Sequence, residues 1–189
     1  MPTTILNDKE IICHVKAGAM IEPFHAEQVR EADGMKIVSF GLSSFGYDVR
    51  LADEFKIFVG TADTIISASN PRPDLWVAIK TPKLTLRPGE IAFGRTIEYI
   101  KMPVNGAGLL WNKSTHMRTG LSLITSPLEA GWWGTITLEL HNVGPWTLDV
   151  NANEGIAQLV FFTGERPNVT YADRDGKYQN QVGVTLARL

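Results

Sequence analysis

Apolar and polar residues alternate strictly through Thr135-Ile136-Thr137-Leu138-Glu139-Leu140-His141, which predicts a half-buried β-strand over 134–141. Ile136, Leu138 and Leu140 fall on its core face, and Thr137, Glu139 and His141 on the other. Short runs rich in β-branched and aromatic residues, separated by Gly, Pro, Asn and Asp, predict strands at 37–40, 47–51, 55–59, 75–79 and 91–93. The same signals recur at 107–111, 121–124, 146–150 and 156–162. Arg87-Pro88-Gly89-Glu90 sets Pro and Gly where a type II turn needs them. Helical patterning is sparse. Asn7 and Glu10 resemble a capping box, Ile11, Ile12 and Val15 share one face, and Gly18 ends the run, so a short helix is expected over 8–17. A single helical turn is expected after Lys113. Many short strands with few helices predict a mainly β chain, a barrel or a sandwich.

A chain of 189 residues suits one domain. Its 44% hydrophobic and 20% charged residues lie near the globular average, which sets aside disordered and fibrous classes. A formal net charge of −2 offers no basic footprint for nucleic acid or an anionic membrane, so any phosphate recognition must be local. Cys13 is the only cysteine, which excludes an intrachain disulfide. No apolar run approaches the roughly 20 residues that span a bilayer, and the N-terminus lacks a basic-then-apolar leader pattern. A cytoplasmic protein is expected, with no membrane or nucleic-acid partner.

Two stretches, Trp111 to Gly120 and Gly134 to Asn142, carry candidate chemistry and are expected to meet in one site. In the first, Ser114 precedes the helical turn and Arg118 follows four residues later on the same side. With Lys113 and the backbone N–H groups they form either an anion site suited to phosphate or a capped surface turn with two solvated cations. In the second, Glu139 is kept out of the core by its own pattern. It is either a solvated surface carboxylate or, where that face lines a cleft, an acid/base whose pKa burial would raise. Cys13 and His14 read as helix packing and surface rather than metal ligands. The polar, glycine-punctuated stretch from Tyr171 to Gly183 reads as a frayed terminus or as a flap that closes over a ligand. A zinc nucleobase deaminase needs His-x-Glu and Pro-Cys-x-x-Cys segments, which one cysteine and the scattered His14, His25, His116 and His141 cannot supply. Neither a Walker-type phosphate loop nor a Gly-x-Ser-x-Gly elbow is present.

Several stretches together resemble the dCTP deaminases of the trimeric dUTPase superfamily. They are Met20 to Phe24, Gly41 to Arg50, Ala52 to Phe58, Lys113-Ser114-Thr115 with Arg118, and Thr137-Leu138-Glu139. The likeness continues through Ala152 to Gln158, Gly176 to Gln179 and Gln181 to Leu186. The resemblance implies a mainly β, distorted β-barrel (dUTPase-like) with a few short helices. It implies a single domain over 1–189, with 168–189 as a C-terminal tail closing over the site. It further implies a homotrimer with sites at subunit interfaces, and hydrolytic deamination of dCTP to dUTP and ammonia, supplying dUTP for dUMP and dTTP synthesis. Mg2+ is expected on the triphosphate, with no zinc and no metal ligands from the protein, and dTTP as a feedback inhibitor.

By the same resemblance, Glu139 looks like the proton donor and acceptor, with Ser114 and Arg118 on the water and phosphate side. Lys113, Thr115, His116 and Met117 complete that substrate-binding segment. Thr137, Leu138 and Gln158 match the base and sugar region, and Tyr171, Lys177 and Gln181 the closing tail. Asn112 stands where close relatives have glycine, a change that suits a left-handed backbone position. The 123–133 segment also departs, with Thr125-Ser126-Pro127 where many members have Val-Thr-Pro. Two alternatives follow: a bifunctional dCTP deaminase/dUTP pyrophosphatase giving dUMP, suggested by Glu129 and Tyr47-Asp48, and a deaminase of a modified cytosine deoxynucleotide, suggested by Asn112.

Overall fold

Helix α1 (Asp8–Gly18) starts where its capping box dictates. Asn7 Oδ1 accepts the Glu10 N–H at 3.1 Å and Glu10 Oε2 accepts the Asn7 N–H at 2.9 Å, so two otherwise orphaned donors are satisfied reciprocally. The computed structural model describes residues 4–18 and 20–188. Strands make up most of the remaining regular structure. They begin with β1 (Thr4–Ile5), β2 (Ile21–Glu22), β3 (Val29–Ala32), β4 (Met35–Ser43), β5 (Gly46–Arg50) and β6 (Glu54–Phe58). Next come β7 (Trp76–Lys80), β8 (Lys83–Leu86), β9 (Ile91–Lys101) and β10 (Gly106–Asn112), after which helix α2 (Ser114–Arg118) makes little more than one turn. The chain closes with β11 (Leu121–Ile124), β12 (Trp133–Asn142), β13 (Leu148–Asn151) and β14 (Gly155–Thr163).

One sheet runs β1-β14-β5-β4-β3, with β10 also on β14; the other runs β11-β12-β9-β6-β7, with β2 also on β9. Strands β8 and β13 pair separately. Tyr47, Leu51, Phe55, Ile100, Leu138, Leu140, Leu159 and Phe161 are buried together between the sheets, which are linked by a bridge from Leu51 to Thr96. The mainly β, distorted-barrel expectation therefore holds as two antiparallel sheets around one core. The turn before β9 also forms as expected, with the Glu90 N–H donating to Arg87 O at 3.0 Å and Gly89 at a φ of 78° that glycine tolerates best.

Strand β9 is much longer than the 91–93 expected. Its inward face carries Thr96 and Glu98 beside Ala92 and Ile100, so the apolar alternation that marks a strand is masked. Glu98 is fully buried, held by Arg50 Nε at 2.8 Å and by the Arg50 N–H at 2.8 Å. Thr96 Oγ1 donates to Glu98 O at 2.8 Å and accepts the Ile136 N–H at 2.9 Å. That second bond satisfies the backbone where the β12–β9 register shifts between Thr135 and Thr137, a bulge that re-aims the following side chains. The short strands β1, β2, β3 and β8 escaped the periodicity reading, which needs longer runs. Asn112 is not left-handed. It ends β10 in register with Ala157, and its Nδ2 donates to Leu121 O at 2.6 Å.

Candidate active site

After the bulge, β12 presents Thr137 and Glu139 on the face away from the core, as the alternation predicts. Glu139 lies opposite Phe93 of β9 on one side and Ile124 of β11 on the other, so its carboxylate stands between two apolar neighbours. The half-buried carboxylate has no hydrogen-bond or ion-pair partner among the described residues. It lines a cleft of about 570 Å³ together with Phe93, Thr137 and the loop from Ile124 to Glu129. A carboxylate left without protein partners in a half-closed cleft is available to a ligand's protons.

The other wall is the C-terminal tail, which is docked rather than frayed. Tyr171, Lys177, Tyr178, Gln181 and Thr185 line the cleft. Gln181 N and O straddle Gly134: its carbonyl accepts the Thr135 N–H at 2.9 Å, and a Cβ on Gly134 would stand 2.7 Å from that oxygen. Glycine is thus required for the tail to lie this close to β12. Gln181 Nε2 donates to Thr135 O at 2.7 Å, and Trp132 Nε1 donates to Tyr178 O at 2.9 Å. The Tyr171 hydroxyl accepts the Tyr178 N–H at 3.0 Å. Lys177 Nζ donates to Arg188 O at 2.9 Å. Arg174 packs over the Tyr171 ring and pairs with Glu129 of the facing loop.

The Lys113–Arg118 segment does not line this cleft. Pairing of Leu121 with Asn142 and of Ile124 with Glu139 carries α2 past the end of β12, roughly 10 Å along the strand from Glu139 at ~3.4 Å per residue. The two stretches expected to meet in one site therefore stay apart within one chain. On α2 itself, Ser114 and Arg118 are both exposed on one side, and Arg118 Nη1 donates to Ser114 O at 3.3 Å. Met117 is exposed as well. Thr115 borders a separate cavity of about 640 Å³ with Arg30, Lys36 and Glu154. His116 points inward: it is buried, with Nε2 2.9 Å from Gly155 O, and burial holds its pKa below the ordinary histidine value. Its imidazole is thus an anchor for α2, not a contact for a ligand on the exposed side. Lys113 is paired with Asp48, Nζ to Oδ2 at 2.5 Å. Leu138 is fully buried in the core, so a ligand could meet only its backbone. Gln158 lies on β14, where Nε2 donates to Ser43 Oγ at 2.9 Å, away from the cleft.

Glu139, Thr137, Tyr171, Lys177 and Gln181 are thus gathered by one chain, and the α2 residues with Gln158 are not. Phe93, Trp132 and Tyr178 belong to the cleft and were not among the expected site residues. Phe93 would have been found had the pairing of β9 with β12 been known. Among the described residues, no group of three or more His, Cys, Asp and Glu side chains is placed to hold a metal ion.

Residues 5–164 match the family described as dCTP deaminase-like. The chain is 47% identical over 171 residues to a dCTP deaminase of Herpetosiphon aurantiacus, covering 90% of this chain and 91% of that one. It is 43% identical over 186 residues to a dCTP deaminase of Herminiimonas arsenicoxydans, covering 98% and 99%. Among solved structures, the 2'-deoxycytidine 5'-triphosphate deaminase of Agrobacterium tumefaciens shares the fold at a TM-score of 0.62 and 16% identity, over 87% of this chain. The match spans 49% of that protein's length.

Proposed function

The chain belongs to the dCTP deaminase family, and we propose that it removes the C4 amino group of dCTP hydrolytically, giving dUTP and ammonia, with Glu139 moving the protons. The observation that carries this reading is the Glu139 carboxylate, unpartnered within the protein and set between Phe93 and Ile124 in a tail-covered cleft. A base here takes a proton from water as its oxygen bonds to C4, and delivers it to N3. The C4–N bond of the tetrahedral adduct then breaks as the one proton left on the C4 hydroxyl passes through the same carboxylate to the leaving amine, which departs as ammonia. C4 becomes the carbonyl of uracil. General acid/base catalysis contributes roughly 10² to 10⁴ in rate, so orientation of water and base must supply the rest. Thr137, the backbone around Ile124–Ser126 and the tail line the cleft in position to do so.

Ser114 and Arg118 are the phosphate side of the site in this reading. Because one chain keeps them away from Glu139, they would come from a second copy, consistent with a homotrimer whose sites lie at subunit interfaces. The chain then acts as a single domain, its tail from 168 onward closing over the base. Mg2+ would travel with the nucleotide, held by triphosphate oxygens, and its chemistry there is charge neutralisation of the phosphates. A cytoplasmic location and feedback by dTTP fit the same reading; no helix among the described residues is long and apolar enough to cross a membrane.

Neither alternative is carried forward. Glu129, the carboxylate on which a pyrophosphatase step would rely, is already engaged by Arg174. Asn112, on which a modified base would rely, is turned to the β11 backbone and does not line the cleft. Incubation of the purified protein with dCTP and Mg2+, followed by anion-exchange separation of the nucleotides, tests the proposal. Accumulating dUTP supports it; dUMP with pyrophosphate, or unchanged dCTP, rejects it.

A further inference from the structure

Beside the groups assigned to proton transfer, the cleft meets an unbroken run of aromatic rings. Phe93 of β9 is opposite Glu139 of β12 on the same face of the sheet, which sets their Cβ atoms roughly 5 Å apart. The Phe93 ring packs on Trp76 of β7, with centroids 4.7 Å apart and planes inclined by 53°. Trp76 packs in turn on Phe58, its direct partner on β6, at 5.4 Å. Phe58 is backed by main chain, since a Cβ on Gly60 would stand 2.3 Å from its Cζ. Phe93 therefore has a supported ring on one side and Glu139 on the other. The other aromatic side chains of the cleft are occupied in holding the tail. Trp132 donates to Tyr178 O, the Tyr171 hydroxyl accepts the Tyr178 N–H, and the Tyr178 ring lies against Lys177 and Arg188.

We infer that Phe93 is the residue on which the pyrimidine ring stacks, and that Trp76 is a positioning residue that fixes the orientation of the Phe93 ring. A base that offers its C4 amino group and N3 to Glu139 brings its ring beside that carboxylate, and Phe93 is the aromatic side chain in register with it. Stacking holds a planar base by its face and leaves its hydrogen-bonding edge free for Glu139 and water. Without Trp76, the Phe93 ring could change rotamer toward β7 and leave the base unsupported. The inference rests on the reading of Glu139 as the group that meets the cytosine edge.

The test compares wild type with Phe93→Leu, Phe93→Tyr, Trp76→Leu and the Phe93→Leu/Trp76→Leu double variant, reading kcat and KM for dCTP. Phe93→Leu keeps an apolar side chain and removes the ring face, so KM should rise roughly 5- to 150-fold with kcat less affected. Phe93→Tyr retains the ring and should stay near wild type. Trp76→Leu should raise KM by a smaller factor, and the double variant should be no worse than Phe93→Leu, because the indole acts only through the ring. An unchanged KM in Phe93→Leu overturns the stacking role, and effects that multiply in the double variant overturn the positioning role. Contact is read independently by NMR on Glu139→Gln with its phenylalanine rings labelled and dCTP bound. Cross-relaxation between cytosine H5 or H6 and a phenylalanine ring, lost when Phe93→Tyr is added, supports the inference; its absence overturns it. That measurement also decides the matter should Phe93→Leu not fold. If wild type leaves dCTP unchanged, the reading of Glu139 fails and the inference with it. If wild type turns dCTP over and Phe93→Leu matches it, the inference alone fails.

Discussion

Thr137 Oγ1 accepts the backbone N–H of Thr185 at 3.2 Å, so the end of the tail is tied to the strand that carries Glu139 two residues further on. Gln181 Nε2 reaches the same hydroxyl at 3.5 Å. Thr137 thus reads tail position directly, and a nucleotide that uses this hydroxyl must share it with the tail or displace it. In the proposed reaction, tail closure and the Glu139 strand would be coupled through this single side chain.

Glu139→Gln keeps the shape of the cleft and removes the carboxylate proposed to act as the base. Binding of dCTP is expected within about threefold of wild type, with kcat lowered roughly 10² to 10⁴. Single-turnover measurements beside equilibrium binding check this, and near-normal turnover would remove Glu139 from the proton path.

Gly134→Ala should lift the tail and add local backbone strain in β12. Its φ of 152° is one that side chains rarely adopt, and the added Cβ would meet Gln181 O at 2.7 Å, so the tail must lift. Strain of this kind amounts to about 1–3 kcal/mol. Expected outcomes are a raised KM for dCTP and faster hydrogen exchange across 178–185, with the β12–β9 ladder still protected. Unchanged exchange in the tail would show that the contact is not what holds it.

Much of this was legible in the sequence because it is local. The alternation through Thr135 to His141 places Glu139 away from the core without reference to any other strand, and the Asn7–Glu10 spacing announces α1. What escaped depends on distant partners. Lys113 reads as a free cation until Asp48, on another strand, is brought to it. His116 reads as part of the substrate-binding segment until Gly155 O is placed beside its ring. Strand β9 is hidden because Thr96 and Glu98 occupy inward positions that only Arg50 and the β12 bulge make tolerable.

His116 gives the fold a pH dependence whose sign follows from its burial. Desolvation holds the folded pKa below the ordinary 6.5, so as pH falls through that value the unfolded chain takes up a proton that the folded chain refuses. The stability is fully present above 6.5 and is lost on acidification toward the folded pKa. Melting temperatures at about pH 8 and about pH 5.5 should therefore fall less in His116→Gln, whose amide can still donate to Gly155 O, than in wild type. His25 is shifted in the same direction by burial and by Arg50, but it is common to both proteins and cancels in the comparison. Equal slopes would mean that His116 does not titrate in this window.

The Arg50–Glu98 pair should be costly to break and cheap to replace. Burial pushes the Glu98 carboxyl above the ordinary range even though Arg50 donates to it, so desolvation outweighs the pairing. Arg50 Nη2 is itself buried without a partner, and the guanidinium's further support is the Phe40 ring at 4.5 Å. Glu98→Gln removes the negative charge and leaves the cation enclosed, for an expected loss of about 3–5 kcal/mol in urea unfolding at neutral pH. Arg50→Met/Glu98→Leu removes both charges and should recover most of that loss, because two apolar side chains of similar volume need no solvation. A double variant as unstable as Glu98→Gln would show instead that the pair is held for its hydrogen bonds to the β5 backbone, where the Arg50 N–H would then be left buried and unpaired.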